Sequence, residues 1–424
     1  MPPAPAIAAA TAPSVPEVRR AVLATAIAFA GAGFAFASWA SRIPQVRDHL
    51  DLSPARLGLV LLAIAAGSLV ALPLAGPVVH RLGSRRTVAA MAVLMAVSLL
   101  TVALGYLAGL APVVAGLFVL GFANGAWDVA MNVHGAVVEQ HLGRSIMSRF
   151  HAGFSLGTVL GALIGAAMVA LGVPVTAHLI AVGAVIACAV PWGARMFLRE
   201  DAVAADADPG ADGGEAAEAA APRSALAAWR EPRTLLIGVF VLAFAFAEGT
   251  GNDWVGIATI DGYGTVAAVG TLAFALFLSA MTLGRWFGPV LLDRYGRVPV
   301  LRVLVVLGIA GVLLFVLAPA TPLAFAGVIL WGLGASLGFP VGMSAGADEP
   351  AHAAGRVSVI ASIGYCAFLG GPPTVGLLAD HLTILRAVSC VAVLFGIAAL
   401  IAAVVAPPAT RTTALEPASA AAAE

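Results

Sequence analysis

Long apolar runs separated by short polar breaks make up most of this chain. Residues 21–41 carry no charge, nor do residues 57–79. The uncharged stretch 87–127 is about two crossings long, and the Gly- and Pro-containing segment 105–112 divides it. The stretch 150–194 divides in the same way at 172–174, and 303–347 divides at 318–322. Further runs occupy 234–256, 264–290, 357–379 and 384–406. A hydrocarbon layer about 30 Å thick takes about 20 helical residues to cross. Backbone in lipid must close its own hydrogen bonds, so each run predicts a helix. The pattern therefore predicts an all-α membrane protein of twelve spans.

Composition supports this reading. Apolar residues make up 61% of the chain and charged residues only 10%, with a mean hydropathy of +1.00. A soluble domain carries roughly 25% charged residues. The net charge of zero gives no electrostatic grip on nucleic acid. Cys188, Cys366 and Cys390 lie in apolar runs without pairing or metal spacing and read as packing residues. Neither a nucleophile beside a base, nor a metal cluster, nor a phosphate loop is visible, so the expectation is no enzyme, no metal and no cofactor.

All 22 basic residues are Arg, and with both termini inside 17 of them fall on the cytoplasmic side. Arginine-rich short loops stay cytoplasmic, so that orientation, in a bacterial inner membrane, is expected. The remaining segments are low in complexity. Residues 1–18 and 407–424 read as disordered tails, and the acidic, Ala/Gly-rich stretch 199–233 as a cytoplasmic linker. Two six-span halves, 19–198 and 234–406, remain, and the chain is expected to work as a monomer.

The halves repeat at an offset of 213 residues. His80-Arg81-Leu82-Gly83 falls on Asp293-Arg294-Tyr295-Gly296, Gly121 and Gly125 fall on Gly334 and Gly338, and Gly157 falls on Gly370. Duplicated membrane halves place a substrate site between them near the midplane and expose it alternately. The segment 76–86, with Gly76, His80, Arg81, Gly83 and Arg86, resembles the loop motif between the second and third helices of the major facilitator superfamily. The segment 293–297, with Asp293, Arg294, Gly296 and Arg297, resembles its second copy. His80 stands where that family usually has Asp. The segments 39–44, 127–132 and 151–157, Glu248 with Asp253 and Trp254, and 371–373 resemble a narrower YbjJ-like inner-membrane branch related to fucose permeases. The resemblance implies secondary transport of a small organic solute, with sugar-like uptake driven by protons as one reading and drug or metabolite efflux as the other.

Ionised residues inside a span need a reason. Asn124, Asp128 and Asn132 form a stripe at four-residue spacing on the fourth span. By depth, Asp128 is expected near the cytoplasmic end, as a gate partner of Arg81 or Arg149 or, with Asn124 and Asn132, as a proton- or substrate-binding group. Glu248 shares a face with Asn252 and is expected in the outer half of the seventh span as the coupling acid, with Asp253 out in interfacial water. Arg285 is expected to bind helix-end carbonyls or an acid near the inner face. Trp39 and Trp127, like Trp254 and Trp331, could stack on a ligand, and Trp39 and Trp254 could equally anchor at the interface. Glycines at four-residue spacing, Gly121 and Gly125 and then Gly153, Gly157 and Gly161, are expected to let helices approach closely.

Overall fold

The computed structural model describes residues 13–143, 146–198, 227–349 and 352–407. The segments 1–12, 199–226 and 408–424, which hold most of the expected tails and linker, lie outside these. Among the described residues eleven helices are long and apolar enough to cross a membrane, and one of them, Pro54–Ala108, is two helices joined end to end. It turns at Gly83, where φ is 75° and ψ 157°, a region that only glycine enters at low cost. The turn divides it into α2, residues 54–82, and α3, residues 84–108. The others are α1 Val15–Ala40, α4 Leu110–Leu142, α5 Met147–Ala170, α6 Val175–Ala194, α7 Pro232–Tyr263, α8 Ala267–Tyr295 and α9 Arg297–Leu317. Then come α10 Thr321–Gly346, interrupted at Ser336 and Leu337, α11 Ala353–His381 and α12 Ile384–Val405. The twelve expected spans are all present.

Several helices outrun their apolar cores. α1 starts at Val15, inside the expected tail, because the Glu17 carboxylate accepts hydrogen bonds from the Ser14 backbone N–H and hydroxyl and closes the first turn. α7 starts at Pro232 and continues to Tyr263, where Gly264 in the left-handed region stops it. α4 continues to Leu142 and stops at left-handed Gly143.

Within the halves, α1 packs on α5, α2 on α4, α7 on α11 and α9 on α10. Close approach depends on missing side chains. A Cβ on Gly121 would lie 1.9 Å from the Ile64 carbonyl oxygen, and one on Gly157 would lie 2.1 Å from that of Ala30. Of the glycines expected to serve this way, Gly153 is the loose one, its nearest neighbour being 3.6 Å away. Between the halves, α2 packs on α11 and α5 on α8. Twelve crossings leave the free end of α1, that of α12, and the turns at Gly83 and Gly296 on one face. This is called the motif face, and the opposite one the far face.

Candidate functional site

Between the halves lies a cavity of about 280 Å³ walled by α1, α2, α4 and α5 on one side and α7, α8 and α11 on the other. Its walls obey the repeat. Ala65 and Leu278, Ser68 and Met281, Leu69 and Thr282, Leu72 and Arg285, and Ser155 and Phe368 all line it, each pair 213 residues apart. Aromatic rings come from Phe36, Phe154, Tyr365 and Phe368, and neutral polar groups from Ser68, Asn124, Ser155, Thr158, Asn252 and Thr282.

Three charged side chains face this space. Glu248 sits at the middle of α7, deeper than expected, because the helix runs on to Tyr263. Its Oε2 accepts a hydrogen bond from Arg285 Nη2 of α8 at 2.7 Å, and Arg285 Nε donates to the Ser336 carbonyl at 3.2 Å. That carbonyl is free because α10 breaks there. Arg285 thus binds both a helix-end carbonyl and an acid, but at cavity depth rather than at the inner face. Asp253 is the correction among the acids. Expected in interfacial water, it lines the cavity one turn beyond Glu248, and among the described residues no hydrogen bond or ion pair engages it.

The stripe on α4 divides. Asn124 lines the cavity, whereas Asp128 and Asn132 bond to each other: Asn132 Nδ2 donates to the Asp128 carbonyl at 2.8 Å and to its Oδ1 at 3.2 Å. Asn132 Oδ1 lies 3.2 Å from His151 Nε2, and the His151 ring meets Phe29 edge-on at 5.1 Å. Asp128 pairs with neither Arg81 nor Arg149 among the described residues. It lies just past the middle of α4, because that helix runs about four turns farther than its uncharged stretch.

Other expectations move too. Trp39, Trp127, Trp254 and Trp331 are at most 1% exposed and line no part of the cavity, so they are neither ligand platforms nor interface anchors. Trp127, for example, packs near Gly31 beside Ile186 and Val190 of α6. Arg42, after the end of α1, is 2% exposed and donates from Nε to His178 Nδ1 at 2.9 Å.

Every hydrogen bond linking the halves among the described residues lies at the far face. Arg47, on the short helix Ile43–His49 after α1, forms a two-pronged ion pair with Asp261, whose Nη2–Oδ1 arm is 3.0 Å. Asp380 accepts from Ser53 Oγ at 3.3 Å and from the Ala55 N–H at 3.2 Å. Thr271 Oγ1 donates to the Ser41 carbonyl at 3.5 Å. Backbones also meet there, a Cβ on Gly58 falling 2.4 Å from the Pro372 oxygen. At the motif face Gly76, His80, Arg81, Arg86, Asp293, Arg294 and Gly296 are exposed. Arg81 and Arg294 make no ion pair among the described residues, and Arg294 lies over the Tyr295 ring. Arg297 instead bonds within its own half, to Asp348 at 2.7 Å and to the Ser344 hydroxyl at 3.0 Å. The far face is closed and the motif face is unlatched.

Two pseudo-symmetric six-helix units around a central cavity of mixed apolar and polar lining, bonded across one face only, define a membrane carrier. The chain belongs to the major facilitator superfamily, whose family model matches residues 21–371. It is 33% identical over 353 residues to uncharacterized transporter y4wD of Sinorhizobium fredii, covering 83% of this chain and 89% of that one. Among solved structures it resembles a bacterial homologue of the human lysosomal transporter Spinster in an inward-facing, unoccupied conformation. There the TM-score is 0.72 at 14% identity, with 93% and 98% of the two chains covered. It also resembles a D-xylose–proton symporter, with a TM-score of 0.71 at 12% identity and coverage of 92% and 97%. The protein is thus a multi-pass secondary transporter rather than an enzyme.

Proposed function

We propose that this transporter carries a small, neutral, hydroxyl-rich solute of sugar size across the bacterial inner membrane, with uptake driven by protons. The motif face is cytoplasmic in this reading, which the concentration of arginines on that side supports. The observation that carries the proposal is the cavity wall. Aromatic rings on both halves offer flat apolar surfaces for a sugar ring face, and neutral donors and acceptors at the same depth suit hydroxyls. Glu248, Asn252 and Asn124 are the proposed solute contacts, with Arg285 holding the Glu248 carboxylate in place. Asp128 and Asn132 serve the motif-face side of the cavity. Arg81 and Arg294 latch the motif face in the alternate state.

The test is a thermal-shift screen of purified protein against sugars, polyols, organic acids and cationic drugs, followed by counterflow of each hit in proteoliposomes. A ligand at 100 times its Kd raises stability by about 2.7 kcal/mol, which is readily seen. Hits confined to cationic drugs would reject the sugar-like reading in favour of efflux. A Cys at Val266, 68% exposed on the far face, should react with an impermeant reagent in intact cells. Labelling only after lysis would reverse the orientation.

A further inference from the structure

The expected coupling acid, Glu248, has its charge matched by Arg285 at 2.7 Å. Asp253 differs in every respect that matters for binding a cation. It lines the main cavity and also a side cleft of about 10 Å³, enough for about one water-sized particle. That cleft is closed on its other side by Ala40, Ser41, Ile43 and Pro44 of the opposite half, where Thr271 meets the Ser41 carbonyl.

The titratable groups lining the two spaces are Glu248 and Asp253 of α7, Arg285 of α8 and Tyr365 of α11. Arg285 is committed to Glu248 and Ser336. On the α1 side, Arg42 is turned to His178 and Arg47 to Asp48 and Asp261. Arg42 Nη2 has no hydrogen-bond partner, and among the described residues no arginine forms an ion pair with Asp253. Its neighbour Asn252 adds a buried Oδ1 without a partner. An unmatched carboxylate beside an orphan acceptor, away from bulk water, draws a positive charge.

Building on the transport reading above, we propose that Asp253 binds the coupling cation, a proton or by the same chemistry another small monovalent cation, and that its occupancy is read by the far-face closure beside it. The site lies where such a group has to lie. One side opens on the solute cavity, so cation and solute are sensed together, and the other abuts the contact that must part when the far face opens. Glu248 stays paired with Arg285 throughout the cycle.

Dicyclohexylcarbodiimide, which modifies protonated carboxyls in apolar surroundings, tests this on wild-type protein without any known substrate. Peptide mass mapping should find Asp253 modified at about pH 5.5 at least tenfold faster than at about pH 8.5, since the protonated fraction of a carboxyl above its pKa falls tenfold per pH unit. Glu248 should stay largely unmodified. Parallel reactions in sodium and choline chloride distinguish the cations: suppression by sodium at fixed pH assigns sodium, and indifference assigns the proton. Modification of Glu248 in preference to Asp253, or an Asp253 rate indifferent to both pH and sodium, overturns the proposal. Once a substrate is in hand, the ratio of accumulation with an imposed gradient to that without it should fall to about one in Asp253→Asn. If wild type transports nothing tested, the transport reading is at fault. If wild type and Asp253→Asn both accumulate substrate, Asp253 alone is.

Discussion

The two halves share a backbone plan but divide the chemistry. Gly83 and Gly296, 213 residues apart, have φ of 75° and 80° with ψ of 157° and 165°, so both motif loops turn by the same rare conformation. Gly121 and its counterpart Gly334 are both pressed against a neighbouring helix. Yet Glu248, Asp253 and Arg285 of the second half correspond to Ala35, Ala40 and Leu72 of the first. At the motif face, the Arg297–Asp348 and Arg356–Glu231 braces correspond to Ser84 with Gly135 and Gly143 with Val18. Duplication supplies a scaffold that rocks, and later divergence places charge on one side of it. The first half then offers a neutral hydrogen-bonding wall and the second a charged one.

The strongest way to break that division is to uncouple the charged pair. Arg285→Ala leaves the Glu248 carboxylate unmatched at mid-membrane. Breaking a fully buried pair costs about 3–5 kcal/mol, and since both partners are partly open to the cavity, about 1–3 kcal/mol is expected here. Transport should fall on the order of 100-fold, because the carboxylate loses its position. Combining Arg285→Ala with Glu248→Ala should restore the melting temperature but not transport. If the double variant is no more stable than the single, the pair is not what holds these helices. Leu72→Ala, at the mirror position, should cost far less transport.

Next in size are the two motif turns. An alanine at Gly296 meets no atom within 4 Å, so its cost is backbone strain alone, about 1–3 kcal/mol. Gly83→Ala, at the same dihedral angles, should lower the melting temperature by a similar amount. Unequal losses would show that the halves tolerate strain differently despite their shared geometry.

The repeat was legible because apolar length and glycine position are local properties. Twelve spans, the breaks near Gly109 and Gly172, and the 213-residue offset all follow from sequence alone. The charged site was only half legible. Glu248 and Arg285 could be flagged as charges in spans, but their pairing depends on where α7 and α8 end. Apolar runs understate both, because polar residues at helix ends face protein or the interface. Carrying α7 to Tyr263 moves Glu248 to the centre and Asp253 into the cavity. The same error placed Asp128 too close to the motif face. For Trp39 and Trp127, amphipathic chemistry suggested a surface, but their partners come from other helices and left no mark nearby in sequence.

Asymmetry between the two faces gives a third test. Arg47→Ala removes the ion pair that crosses the halves at the far face. An exposed or half-exposed pair contributes up to about 1 kcal/mol, which is about a fivefold change in the ratio of far-closed to far-open molecules. Spin labels at Arg56 and Val266, in a background lacking Cys188, Cys366 and Cys390, should report a larger long-distance fraction. Arg81→Ala and Arg294→Ala should move the same distribution the other way. Identical distributions in all three variants would remove both faces from the gating argument.

The smallest effect expected is a pH dependence at the start of α7. Glu231 sits just before α7, and its carboxylate accepts hydrogen bonds from Arg356 Nε at 2.6 Å and the Thr234 hydroxyl at 2.8 Å. The hydrogen bond from Arg356 is the main cause that holds its pKa below the ordinary glutamate value. A carboxylate with a lowered folded-state pKa stabilises the fold fully above its unfolded pKa of about 4.3, and that stabilisation is lost as pH falls through the lower folded value. Glu231→Gln removes the charge at every pH. The wild type should therefore melt higher than the variant above about pH 5, by on the order of 1 °C for so exposed a pair. The two melting curves should converge only once pH has fallen below the lowered folded-state pKa, where wild-type Glu231 is protonated as well. Val18, at the mirror position, carries no charge, so Val18→Ala should shift the melting temperature by an amount independent of pH. A gap between wild type and Glu231→Gln that persists unchanged into acid would mean that the glutamate acts by packing, and that the brace on the second half is not electrostatic.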